Sequence, residues 1–187
     1  EKTEFLMIEE SGYNEFDIYM MKKPWINQMF SYQVYYAQDE NNILNVLFEK
    51  YGSDKGSTQG TSEVFEWIPH SYAEYYDRLF RSRRKSVQNF FECGIGTTNL
   101  SISGNMGKNG QPGASLRVWR DYFENAKIHG ADIDQSILLS ESKIQTYYVD
   151  QLDSKSIKKM WEQVGDQKMD IILDDGLHSF DGGRILF

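Results

Sequence analysis

After Arg84 the sequence alternates short extended runs with amphipathic helical ones, and acidic residues gather where the extended runs end. SVQNFFECGIG reads as a strand running into a glycine turn. SLRVWRDYFENA reads as a helix with Leu116, Trp119 and Phe123 on one side and Ser115 as its cap. KIHGADID is a second strand, SKIQTYYVDQ a third, DSKSIKKMWEQV a helix and MDIILDDG a fourth strand. Strands joined by single short helical crossovers form a parallel sheet covered on both faces, so the predicted fold is an α/β doubly wound parallel sheet. Ligands of such sheets bind beyond the carboxyl ends of the strands. There the sequence places Glu92, Gly94 and Gly96, then Asp132 and Asp134, then Asp150, then Asp174 and Asp175. Acids at the ends of four successive strands predict one site.

Two further helices precede this region. NNILNVLFEKYG places Ile43, Leu47 and Tyr51 at helical spacing and Gly52 where a C-cap belongs. HSYAEYYDRLFRSRRK places Tyr72, Tyr76, Leu79 and Phe80 on one face, read as core, and its basic end is a solvated helix terminus. Residues 1–40 are aromatic and acidic without clear period. The predicted organisation is therefore residues 1–85 as N-terminal extension and helices, and residues 86–187 as the cofactor-binding α/β core. A net charge of −8 and a pI near 4.9 argue against a nucleic-acid partner. No apolar run approaches the ~20 residues that span a bilayer, so no membrane partner is expected. Cys93 is the only cysteine, which excludes an intrachain disulfide and a cysteine-based zinc site and fits a reducing cytoplasm. A homo-oligomer is compatible with all of this.

The glycine turn ECGIGTTN has Asn99 where dinucleotide-binding turns carry a third glycine, and Glu92 just before it. A carboxylate there repels a pyrophosphate but can receive a cationic amino group. That favours S-adenosylmethionine, which has an amino acid end, a sulfonium and a ribose but no phosphate. Asp132 stands where an acid accepts both ribose hydroxyls, and Asp150 with Gln151 where an adenine amino group can be met. The insert TTNLSISGNMGKNGQPGAS predicts a long loop over the site. One rival is a nicotinamide-dependent nucleotide-sugar enzyme. Another is a non-catalytic methyltransferase-like binding protein.

Taken together, YGSDKGS, PHSYAEYYDRLF, FFECGIG, GASLRVWRDYFENAKIHGADID, VDQLD and DIILDDGLH resemble the class I S-adenosylmethionine-dependent methyltransferases that act on sugar hydroxyls. The similar types are macrolide-sugar O-methyltransferases and their relatives in bacterial polysaccharide gene clusters. The resemblance covers roughly residues 45–180 and implies a sugar or glycoside acceptor. It also implies that Glu92, Gly94 and Gly96 hold the methionine end, Asp132 the ribose, and Asp150 with Gln151 the adenine side. Ser115, Asp134 and Asp174 join the cofactor-binding candidates, and Asp54 and Lys55 would close over the cofactor. In that family the aspartate preceding Gly-x-His helps bind magnesium and the histidine acts as base, positions that match Asp175 and His178.

Chemistry supports that reading of DDGLH. An alcohol needs relief from its proton before it attacks a methyl group, and Mg²⁺ or a histidine near neutrality supplies this. Asp175 offers the hard oxygen that Mg²⁺ prefers, Gly176 lets the backbone turn sharply, and Asp174 orients the metal's waters or the cofactor. His70 and His129 read as structural. Sheets of this class usually have seven strands, so the 187 residues are expected to be the N-terminal part of a longer protein, with the fourth strand left at an unpaired edge.

Overall fold

The computed structural model describes residues 42–56 and 72–186. The extension at residues 1–40, and His70, lie outside them. Helix α1 spans Ile43–Tyr51, capped by the Asn42 side chain at one end and Gly52 at the other. Helix α2 spans Tyr72–Phe80 and passes into a 3-10 turn, Arg81–Arg83. Strand β1 (Asn89–Cys93), helix α3 (Ala114–Tyr122) and strand β2 (Lys127–Asp132) follow. Then come β3 (Ser140–Glu141), β4 (Ile144–Tyr148), α4 (Ser154–Val164), β5 (Ile171–Asp174) and α5 (Phe180–Leu186).

The strands form one sheet in the order β3-β4-β2-β1-β5. Four of them are parallel, with Phe90 opposite both Ile128 and Ile171, and Ile128 opposite Ile144. The fifth adds to the expected parallel sheet: β3 folds back antiparallel on β4 over two residue pairs. It is too short and polar to show a period-2 pattern. The chain moves from β1 through β2 to β4 and then crosses to the other side of β1, so the strand order reverses between β1 and β5. A crevice opens at such a switch.

Alternation along β1 divides the core. Phe90 and Ile128 face α1, α2 and α3, with Leu44, Phe48, Leu116, Trp119, Tyr122 and Phe123. Phe91 and Ala131 face α4 and α5, with Ile157, Met160 and Leu186. Trp119 is the hub of the first layer, with ring centroids of Phe48, Tyr76 and Phe90 at 5.5, 5.4 and 5.0 Å. Such aromatic contacts add about 0.5–1.5 kcal/mol each beyond area burial. They give the described helices before residue 85 the same core as the sheet. On α2 the inward residues are Ala73, Tyr76 and Phe80, whereas Leu79 and Tyr72 are exposed, against the single stripe expected.

His129 is buried on β2, its Nδ1 3.1 Å from the Tyr147 hydroxyl and its Nε2 without a hydrogen bond. Burial, with help from Lys127, lowers its pKa. The folded state therefore prefers neutral imidazole, and below the ordinary histidine pKa of ~6.5 the unfolded chain binds the proton more readily. Stability from this group is present above that pH and is lost as pH falls, by about 1.4 kcal/mol per pKa unit of depression. Thermal melts of wild type and His129→Gln from pH 8 to pH 5 are expected to diverge in slope, with the variant flatter; parallel slopes would contradict it.

Candidate functional site

One cavity of about 690 Å³ opens at the carboxyl ends of the parallel strands. Its wall includes Asp132 at the end of β2, Asp150 and Gln151 after β4, and Asp175 to His178 after β5. The glycine turn, Ser115 of α3, the insert after Thr97 and the loop Ser53 to Lys55 complete it. Among the candidates, Asp54, Lys55, Gly94, Gly96, Ser115, Asp132, Asp150, Gln151, Asp175 and His178 therefore meet on one wall. Glu92, Asp134 and Asp174 do not reach it.

Each absence has a local cause. Glu92 shares a sheet face with Phe90, beneath α3, and is fully buried. Its Oε2 accepts from Ser115 Oγ at 2.6 Å, and its Oε1 has no hydrogen bond but lies 3.8 Å from Lys55 Nζ. Burial pushes its pKa up to about 7, against the opposing pull of Lys55. Direct contact of Glu92 with a ligand, expected from the sequence, is thus not what this geometry provides. Asp134 caps the 3-10 turn Gln135–Ile137, accepting from Ser136 N at 2.9 Å and from the Thr97 hydroxyl. Asp174 accepts from Gln151 Nε2 at 2.9 Å and from Gly176 N. Both acids brace loops instead of facing a ligand. The expected cap of α3 is also corrected: Gly113 holds that position, leaving the Ser115 hydroxyl for Glu92.

The residues on the wall are held firmly. Asp132 is buried, with Oδ2 accepting from Ile95 N at 2.8 Å and Oδ1 from Asp134 N at 2.9 Å. Burial raises its pKa while those amides oppose the rise. A carboxylate has about four acceptor sites, so both oxygens keep room for a diol. Gln151 spends its amide on the neighbouring strand end, with Oε1 accepting from Leu177 N at 2.6 Å. Gly176 lies against that side chain, and a Cβ there, 2.0 Å from Gln151 Oε1, would displace the amide from Leu177 N; its φ is not positive, so the expected sharp turn is not the reason. Gly94 packs against the backbone of Asp175, and Gly96 lies under the Met106 side chain of the insert. The insert therefore forms part of the wall.

Asp175 pairs with Lys55 through one oxygen, and its other oxygen lies 3.5 Å from His178 Nε2. His178 is largely exposed, at 73%. Burial alone would lower the pKa of Lys55, but Asp175, Glu92 and Asp54 around it raise it above its ordinary value, so the lysine is charged. Among the described residues no group of three or more His, Cys, Asp or Glu is arranged to hold a metal ion. They therefore do not make a magnesium site by themselves. Cys93 also borders the cavity, but burial and nearby acids raise its pKa, which leaves the thiol unreactive. Tyr72, read from the sequence as core, lies on the wall as well, and its position one turn from the inward-facing Tyr76 hid this.

No protein-family model matches the chain. It is similar to the 8-demethyl-8-alpha-L-rhamnosyl tetracenomycin-C 2'-O-methyltransferase of Streptomyces olivaceus, 29% identical over 129 residues, or 69% of this chain and 29% of that protein. It is also similar to the mycinamicin VI 2''-O-methyltransferase of Micromonospora griseorubida, 31% identical over 109 residues, or 58% of this chain and 25% of that protein. Among solved structures it resembles MycE methyltransferase from the mycinamycin biosynthetic pathway, in complex with Mg, SAH and mycinamycin VI. There the TM-score is 0.59 at 28% identity, over 77% of this chain and 34% of that one. The chain thus spans less than a third of the length of these curated relatives. The resemblance drawn from the sequence stands, and the described residues have a Rossmann-like methyltransferase fold.

Proposed function

We propose that the chain forms the donor-binding part of an S-adenosylmethionine-dependent O-methyltransferase whose acceptor is a hydroxyl of a sugar or glycoside. The observation that carries this is the wall of the cavity at the strand-order switch, where Asp132, Asp150 and Asp175 meet beside His178. Such a wall suits a cationic, phosphate-free donor and opposes the pyrophosphate of a nicotinamide cofactor. The solved relative is in complex with Mg, SAH and mycinamycin VI.

When bound, the sulfonium supplies an activated methyl group; the acceptor oxygen forms the new bond to it as the C–S bond breaks, leaving the thioether S-adenosylhomocysteine. The chain's residues do the rest. Asp132 accepts the ribose hydroxyls, and Asp150 with the backbone around Gln151 meets the adenine side. His178 takes the acceptor's proton on Nδ1, leaving Nε2–H to face Asp175, which orients the imidazole. Asp175 is also our candidate magnesium ligand, by its position before Gly-x-His; the solved relative contains Mg.

Transfer of labelled methyl from S-adenosylmethionine to rhamnosyl and related deoxysugar glycosides, with and without Mg²⁺, tests the proposal. Label in the glycoside supports it. Label that stays with a donor the protein demonstrably binds would sink the acceptor assignment.

A further inference from the structure

Resting on the donor reading above, we infer that Lys55, and not Glu92, serves the amino acid end of the donor, as the receptor for its carboxylate. Among the described residues Lys55 is the only lysine or arginine on the cavity wall, beside Asp54, Asp132, Asp150 and Asp175. A ligand carboxylate entering such a wall is repelled by the four aspartates and finds a cationic side chain at this ammonium. Glu92 is fully buried behind it, with one oxygen held by Ser115 and the other, unpartnered, 3.8 Å from Lys55 Nζ. Glu92 is thus a positioning residue: it holds the lysine from behind, while Asp175 holds it from the side.

The loop bearing Lys55 is fixed at both ends. Ser53 N donates to Phe48 O of α1 at 2.9 Å, and Ala73 N of α2 donates to Lys55 O at 3.0 Å. The side chain is only 8% exposed, so most of its ordering and desolvation are complete before a ligand arrives. A preorganised, partly desolvated ammonium binds a carboxylate more strongly than a surface lysine does. The ligand's own ammonium then falls beside the excess of carboxylates, Asp175 and Asp54, that surrounds Lys55. Together these groups form a receptor for a zwitterion.

The test is calorimetric titration of two ligands into the chain: S-adenosylhomocysteine, and its decarboxylated counterpart, which carries a 3-aminopropyl thioether and keeps the ammonium. Wild type is expected to bind the first at least about 10-fold more tightly. Lys55→Met should weaken it about 30-fold or more, as expected for removal of one partner of a buried charge pair. The same variant should bind the decarboxylated ligand as well as wild type does or better, which also shows that the cavity has folded. Lys55→Arg should recover part of the loss. Equal loss of both ligands in Lys55→Met, or no loss of either, would overturn the assignment. If Lys55→Met does not fold, equal affinity of wild type for the two ligands overturns it alone. Failure of wild type to bind either ligand would instead remove the donor reading, and this assignment with it.

Discussion

Replacing His178 by alanine is expected to slow methyl transfer by about 10²–10⁴-fold, the usual contribution of a general base, while leaving affinity for S-adenosylhomocysteine unchanged. His178 follows the DDG turn after β5, mostly exposed, with Nε2 3.5 Å from Asp175 Oδ1. Removing it opens no core cavity and leaves the Asp175–Lys55 pair in place, so stability should change by no more than about 0.5 kcal/mol. Separate measurement of transfer rate and ligand affinity isolates the chemical role. Undiminished transfer would exclude His178 as the base, and a parallel loss of donor binding would assign it to binding instead.

Gly94→Ala is expected to cost about 3 kcal/mol or more of stability and to abolish donor binding. The residue has φ +82°, and a Cβ would stand 2.2 Å from the carbonyl oxygen of Asp175 and 2.5 Å from Gly176 Cα. Both obstacles are backbone, and neither can swing aside: Gly94 N donates to Ala131 O and Asp175 N to Cys93 O, each at 2.8 Å. The methyl group would push the loop bearing Asp175 and His178 away from the turn. Gly107→Ala provides the comparison, because Gly107 also has positive φ, +70°, but nothing lies within 4 Å of its added Cβ. That variant should lose only the intrinsic cost of a left-handed residue, about 1–2 kcal/mol. Chemical denaturation of both variants decides the matter, and equal losses would contradict the close approach at Gly94.

The sheet, its crossover helices and the cavity's place at the strand ends were legible because burial imposes periods of about 2 and 3.6 that the sequence displays directly. Which acids reach the cavity was harder. Glu92 carried a usable signal, since it stands two residues from Phe90 and must share its face, under α3. Asp134, two residues after Asp132 and two before Ser136, has the spacing of a local cap, which competes with any ligand for its oxygens. Asp174 gave no such sign; its bond to Gln151 depends on how two strand ends meet. Lys55 was visible only as part of a motif. Its pairing with Asp175 joins residues 120 positions apart, and no local pattern encodes that contact.

The central claim is that the cavity is built for S-adenosylmethionine, and calorimetric titration of S-adenosylhomocysteine into the wild-type chain and into Asp132→Ala tests it most directly. Asp132 is the acid we propose takes the ribose, and it also anchors the glycine turn through Ile95 N. The account predicts one micromolar site in the wild type and none detectable in the variant, with NADH giving no heat in either. A folded wild-type chain that ignores S-adenosylhomocysteine, or that binds NADH in its place, would contradict it.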